Sequence, residues 1–281
     1  MQLSICTISF RHQLVSLEYL AEWARSNYFD GIELWGVHAR SLALQPQYDA
    51  KWLADMGLSV SMVSDYIPLV GDRRIAQAKC QSVCQLANFW KTPKIRTFAG
   101  HVASESVSRG ERAEMITRLR HVCDYAAGHG LEVLVETHPN TLADTPSSIF
   151  QLLDQVDHPA LKINFDTLHV WESGADPCEF HQKIEENVAH YHLKNIASRH
   201  QLSVFAPDNV YSPAGTREGM VSLFEGALDY KAFLADIITD SNKSASLEWF
   251  GDDVKPVLLK DKVAFAKLQQ EVKMQELAFA L

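Results

Sequence analysis

The chain has 281 residues, 47% hydrophobic and 22% charged, which excludes a disordered chain, a collagen and a coiled coil. Its formal charge is −9, from 26 Lys and Arg against 35 Asp and Glu, so a broadly acidic surface argues against nucleic acid as a partner. Length alone fits either two ordinary domains or one (β/α)8 barrel of ~250 residues.

The five cysteines (Cys6, Cys80, Cys84, Cys123, Cys178) form no Cys-x-x-Cys pair, and read as free thiols of a reducing compartment. The start, MQLSICTISF, lacks the basic and apolar regions of a signal peptide. No apolar run approaches the ~18 residues of a membrane span, and the expected location is the cytoplasm.

In chain order, strand-like runs rich in β-branched, aliphatic or aromatic residues fall at 3–9, 31–35, 58–64, 94–98, 131–137, 161–166, 188–194 and 244–249. Helical periodicity fills the spaces between them. The clearest case is 16–28, where Leu17, Leu20, Ala21 and Ala24 repeat behind Ser16 as N-cap, and others are 75–90, 109–129, 146–156 and 255–275. Alternating strands and helices imply a parallel sheet. Eight strands at about 35 residues per unit fit an α/β (β/α)8 TIM barrel, expected as one domain over 1–281. A doubly wound sheet is the structural alternative, but neither GxGxxG after the first strand nor GxxxxGK[ST] occurs. Residues 195–227 hold Pro207, Pro213, Gly215, Gly219 and Gly226 and show no regular element. With Phe205, Tyr211 and Phe224 in it, this stretch is expected to be a folded loop near the site.

The late strands carry ionisable residues at their C-terminal ends: Glu136, Asp166, His192 and Glu248. In a barrel these ends deliver groups to one small volume. A lone strand-end carboxylate is as readily a helix N-cap, but four equivalent positions favour ligation. Three converging carboxylates need a cation, and an oxygen-rich set with one imidazole suits Mn²⁺ or Mg²⁺. By period-two geometry, His138 shares a side with Glu136, and Lys194 with His192. His169 follows Asp166 by three residues and is placed in a loop. Arg96 and Lys194 read either as partners of Glu33 or a neighbouring acid, or as anion-binding groups at the mouth. His138 reads either as a support to the metal or as a general base.

The segments CTISFRHQ (6–13), GIELWG (31–36), KIRTFAG (94–100), ETHPNTL (136–142), HVWESGADP (169–177), HYHLKN (190–195), GMVSLFEG (219–226) and SLEWFG (246–251) resemble the xylose-isomerase-like TIM barrels. More closely, they are similar to the bacterial 3-dehydroshikimate dehydratases of the petrobactin-biosynthesis type. The resemblance implies a lyase that turns 3-dehydroshikimate into 3,4-dihydroxybenzoate (protocatechuate). It implies one divalent metal on Glu136, Asp166, His192 and Glu248. The implied substrate contacts are Tyr66, Arg96, His138, His169, Lys194, Phe205 and Tyr211. For that reaction His138, beside Glu136, is the expected base, protonated His138 or His169 the proton donor, and Lys194 a hydrogen-bond donor to the ketone or a hydroxyl. Such barrels also suggest a homodimer by analogy. The alternative on the same fold is a sugar or hydroxypyruvate isomerase/epimerase, in which the two glutamates exchange protons with a ketose. With the metal, Arg96 and Lys194, the site is expected to be locally positive inside an acidic protein.

Overall fold

The computed structural model describes residues 1–279. Its strands are β1 (Gln2–Cys6), β2 (Gly31–Trp35), β3 (Ser59–Ser64), β4 (Lys94–Thr97), β5 (Glu132–Glu136), β6 (Leu161–Asp166), β7 (Val188–Leu193), β8 (Asn195–Ile196), β9 (Met220–Val221) and β10 (Ser244–Leu247). Eight of them close a barrel in the order β1-β10-β7-β6-β5-β4-β3-β2, every pairing parallel. The remaining pair, β8 and β9, is an antiparallel ladder outside the barrel.

The helices are α1 (Leu17–Ser26), α2 (Gly36–Ala43), α3 (Ala50–Asp55), α4 (Arg73–Phe89), α5 (Arg109–Ala127), α6 (Pro146–Val156), α7 (Thr167–Glu172), α8 (Pro177–Ile184), α9 (Pro207–Val210), α10 (Tyr230–Ala235) and α11 (Val254–Phe279). Local chemistry sets their ends. Ser16 accepts from the Tyr19 amide at the start of α1, as its position before the apolar repeat predicts. Ser108 and Glu111 form a capping box on α5. Thr145 caps α6, Pro146 occupies its first turn, and Asp157 ends it in the left-handed region.

Side chains alternate along the barrel strands. Outward-facing Ile5, Ile32, Ile95, Val133, Val135, Ile163, Phe165, Tyr191 and Leu247 are fully or almost fully buried in the main core. The lumen, in contrast, is polar. Lys94 Nζ donates to Ser244 Oγ and to the Ala189 carbonyl, and His190 joins Ser244 and Ser246 at 2.8 and 2.9 Å.

Several sequence boundaries move. The first strand stops at Cys6 and the chain turns into a 3-10 helix over Thr7–Phe10. Thr7 Oγ1 there accepts from the Trp35 amide and Ser9 Oγ from the Trp249 amide, so these hydroxyls tie neighbouring strand ends together. His169 stands inside α7, not in a loop, because the Asp166 carboxylate accepts from its amide and starts that helix. The stretch 195–227 is folded but not irregular: it holds β8, a 3-10 helix over Arg199–Phe205, α9 and β9. Arg11 ties it down, donating to the Val210 and Phe250 carbonyls. All five cysteines are free, four buried and Cys178 half-buried. No helix among the described residues is long and apolar enough to cross a membrane.

Candidate active site

Glu136 ends β5, Asp166 ends β6, His192 is the penultimate residue of β7, and Glu248 directly follows β10. Strand register sets Asp166 level with His192, and His192 level with Ser246. One carboxylate oxygen each from Glu136 and Asp166 and one ring nitrogen of His192 lie within 4.8 Å of one another. Glu248 Oε1 stands 3.5 Å from His192 Nδ1 and Glu136 Oε2 stands 3.6 Å from it. All four predicted ligands are buried.

His192 is oriented from across the lumen. Its Nε2 lies 2.9 and 3.1 Å from the two oxygens of Glu33, which also accepts from Ser64 Oγ. A carboxylate can only accept, so Nε2 carries a hydrogen, and Nδ1 is the nitrogen turned toward Glu136 and Glu248. That Nδ1 is buried and has no hydrogen-bond partner among the described residues. Carboxylate–imidazole pairs of this kind orient metal-binding histidines.

The charge balance agrees with a dication. Glu33, Glu136, Asp166 and Glu248 are buried around two buried cations, Arg96 and Lys194. The surplus of two negative charges equals what a divalent ion neutralises. Burial opposes charge on His192, yet Glu248, Glu33 and Glu136 hold its pKa well above the ordinary imidazole value. The field at this nitrogen favours a cation. The residues therefore fit a divalent metal on Glu136, Asp166, His192 and Glu248.

Arg96 and Lys194 pair with acids, but not with Glu33. Arg96 Nε lies 2.9 Å from Glu136 Oε2, and Lys194 Nζ bonds Asp166 Oδ2 and, at 2.7 Å, Glu248 Oε2. Burial disfavours the ammonium, but Asp166 and Glu248 raise its pKa above the ordinary lysine value. Both cations thus neutralise carboxylates of the cluster. Arg96 keeps Nη1 without a partner among the described residues, and its guanidinium lies over the rings of Tyr66 and Phe98 at 5.3 and 4.9 Å.

A cavity of about 490 Å³ opens above this cluster. Tyr66, Arg96, Glu136, His138, His169, Lys194, Phe205, Tyr211 and Glu248 line it, while Asp166 and His192 lie beneath. The rings of His138 and His169 are 4.5 Å apart. His138 Nδ1 donates to the Pro139 carbonyl at 2.8 Å, which leaves Nε2 as the basic nitrogen. Burial and then His169 lower the His138 pKa to about 4, so the ring is neutral near pH 7. His169 Nδ1 donates to Glu172 Oε2 at 2.7 Å, and its Nε2 lies 3.8 Å from Asp166 Oδ2. Phe205 forms a wall 5.8 Å from Lys194 Nζ, and Tyr66 and Tyr211 join hydroxyls across the opening.

Some residues escaped the sequence reading. Asp65, the residue after β3, receives Arg40 and, at 2.8 Å, Lys79, and all three line the cavity. One carboxylate against two cations makes this rim net positive. Gly36 permits it, since a Cβ there would fall 2.3 Å from Asp65 Oδ2. Asp65 is a carboxylate just past a strand end, the same signal that marked Glu248. His190 and Phe250 left no comparable mark. His190 reads as one more strand residue, and Phe250 joins the wall only because the chain after β10 folds over the mouth.

The family model for xylose isomerase-like TIM barrels matches residues 21–270. The chain is 48% identical over 264 residues to a 3-dehydroshikimate dehydratase from Bacillus anthracis, covering 92% of this chain and 94% of that protein. It superposes with TM-score 0.91 on the crystal structure of the probable 3-DHS dehydratase AsbF involved in petrobactin synthesis from Bacillus anthracis, at 46% identity, covering 95% and 99% of the two chains. An L-ribulose 3-epimerase matches with TM-score 0.78 over 100% and 99% of the chains, but at 16% identity that likeness shows the fold alone. The chain belongs to the xylose isomerase-like TIM barrel family and, within it, groups with the 3-dehydroshikimate dehydratase of Bacillus anthracis.

Proposed function

We propose that this chain is a divalent-metal-dependent 3-dehydroshikimate dehydratase, a hydro-lyase that forms 3,4-dihydroxybenzoate and water. The observation that carries the reading is the pair His138 and His169, held 4.5 Å apart in one cavity with the carboxylate–histidine cluster. Likeness to the dehydratase over nearly the whole chain supports the substrate. The isomerase/epimerase alternative has the fold alone behind it.

In the proposed mechanism Glu136, Asp166 and His192, with Glu248 beside them, would hold one Mn²⁺ or Mg²⁺, in keeping with an oxygen-rich donor set. Such an ion would supply Lewis-acid stabilisation of the developing negative charge, worth several kcal/mol. His138 Nε2 takes the proton alpha to the ketone. The β-hydroxyl departs as water with a proton from the protonated His138 or from His169. Loss of water followed by tautomerisation makes the ring aromatic, which draws the reaction forward. Arg96 presents its unpartnered Nη1 to the substrate carboxylate, and Lys194 donates to a substrate oxygen. Phe205 and the Tyr66–Tyr211 bridge keep water out of the cavity. The barrel is proposed to act as one domain in the cytoplasm, a setting that suits its free thiols.

The direct test incubates the protein with 3-dehydroshikimate and Mn²⁺ or Mg²⁺, with a ketose epimerisation assay beside it. A rising catechol absorbance is expected. No product with any divalent metal, or epimerisation without dehydration, overturns the assignment.

A further inference from the structure

A second cavity, of about 280 Å³, lies on the outside of the barrel between α4 and α5. Each helix contributes one stripe at i, i+3, i+4, i+7: Arg73, Ala76, Gln77 and Cys80 from α4, and Arg118, His121, Val122 and Tyr125 from α5. No carboxylate lines it, in a chain of charge −9. Among the described residues neither Arg73 nor Arg118 has an acidic partner within 4.0 Å.

Arg118 is the unusual member. It is 8% exposed, yet its Nε and Nη1 have no hydrogen-bond partner among the described residues. Only Nη2 is paired, at 2.9 Å to the Gly71 carbonyl just ahead of α4. A buried guanidinium without a counter-charge is costly. Ala76, Cys80, Val122 and Tyr125 give the lining one apolar and aromatic side, beside the polar Gln77 and His121.

We infer that this groove is a binding site for a small ring carboxylate, with the carboxylate on Arg118 and Arg73 and the ring against Val122 and Tyr125. The volume, at the lower edge of the ~300–1,000 Å³ of small-molecule pockets, limits the ligand to about one ring. The apolar and aromatic side of the lining favours a ring-bearing anion over a compact one. The inference does not depend on the reaction assigned to the barrel mouth.

The test is calorimetric titration with 4-hydroxybenzoate, inorganic phosphate and the neutral 4-hydroxybenzyl alcohol. Wild type and the Arg118→Gln, Arg73→Gln and Arg96→Gln variants are compared. The expected result is a benzoate-binding component weakened roughly tenfold or more by Arg118→Gln and by Arg73→Gln, and retained in Arg96→Gln, whose change lies in the mouth cavity. Arg73 is exposed at a helix start, so its variant keeps the test decisive if Arg118→Gln fails to fold. Benzoate binding unchanged in Arg73→Gln, or lost only in Arg96→Gln, overturns the site. Equal binding of the alcohol overturns the anion requirement, and phosphate binding as tightly as benzoate overturns the ring.

Discussion

Replacing Glu33 by Gln tests how the metal cluster is built without touching a ligand. Glu33 accepts from His192 Nε2 at 2.9 Å and keeps Nδ1 turned toward the carboxylates. The amide keeps the volume but removes one of the four buried negative charges. A hydrogen bond to a charged group contributes ~1.5–3 kcal/mol and a neutral one ~0.5–1.5, so the exchange costs about 1–2 kcal/mol in holding the ring. At 1.36 kcal/mol per tenfold that is about 5–30-fold in metal affinity, consistent with the ~10–100-fold typical of outer partners of metal-binding histidines. The lost charge acts in the same direction. The assay is Mn²⁺ titration of metal-free protein, followed by electron paramagnetic resonance of free Mn²⁺, with far-ultraviolet circular dichroism as a folding check. A Kd within twofold of wild type, in a folded variant, refutes the role given to Glu33.

Other outcomes follow from the same geometry. His138→Ala should lower kcat by ~10²–10⁴ while Mn²⁺ content by elemental analysis stays at the wild-type level; near-normal turnover removes His138 as base. Tyr211→Phe breaks the hydroxyl bridge to Tyr66 and should raise KM by a few-fold, with far less change in kcat; an unchanged KM removes the bridge from substrate binding. Burial raises the Asp261 carboxyl to about 7, while the unfolded chain ionises it near ~3.9. Its stabilising contribution is therefore full at low pH and is lost as pH rises from about 4 through 7. Asp261→Asn keeps an acceptor for the Leu223 amide, so its Tm advantage over wild type should grow from pH 5 to pH 8, and a flat difference contradicts the titration.

The barrel was legible because its outer strand faces and helices follow simple periods. The run 161–166 and the helix 146–156 have the same bounds in sequence and structure, the second because Thr145, Pro146 and Asp157 punctuate it locally. The strand-end residues Glu136, Asp166, His192 and Glu248 were legible by the same logic, since a barrel carries equivalent positions to one place. Pairing across the lumen was not. Glu33 and His192 are 159 residues apart and on strands that are not neighbours, so no local pattern couples them. The placement of His169 was missed because Asp166 is both a predicted ligand and a helix cap, and the cap starts a helix too short to show a period. Which acid Arg96 pairs with, Glu33 or a neighbour, stayed open in the sequence for a related reason. Glu33 and Glu136 both face the lumen, and only the three-dimensional arrangement puts Glu136 within 2.9 Å.

The strands divide their work between alternate residues, and one adjacent pair exposes the division. Phe165 faces outward, fully buried against Phe233, Phe180 and Tyr191, at ring distances of 5.6, 6.0 and 6.1 Å. Asp166 faces the lumen and the mouth cluster. Phe165→Ala removes a core ring and should cost ~3–5 kcal/mol, a fall in Tm of roughly 10 °C in a chain of this size, with turnover of the remaining folded protein near normal at low temperature. Asp166→Asn keeps an oxygen to cap α7, and Lys194 keeps Glu248 as its counter-charge, so its Tm should shift far less while metal affinity and turnover collapse. The polar lumen is tolerable on this account because the outer apolar faces, not the lumen, hold the barrel closed. Differential scanning calorimetry beside metal titration on both variants decides the matter. If Asp166→Asn lowers Tm as much as Phe165→Ala does, the lumen network is itself a principal source of stability, and the division fails.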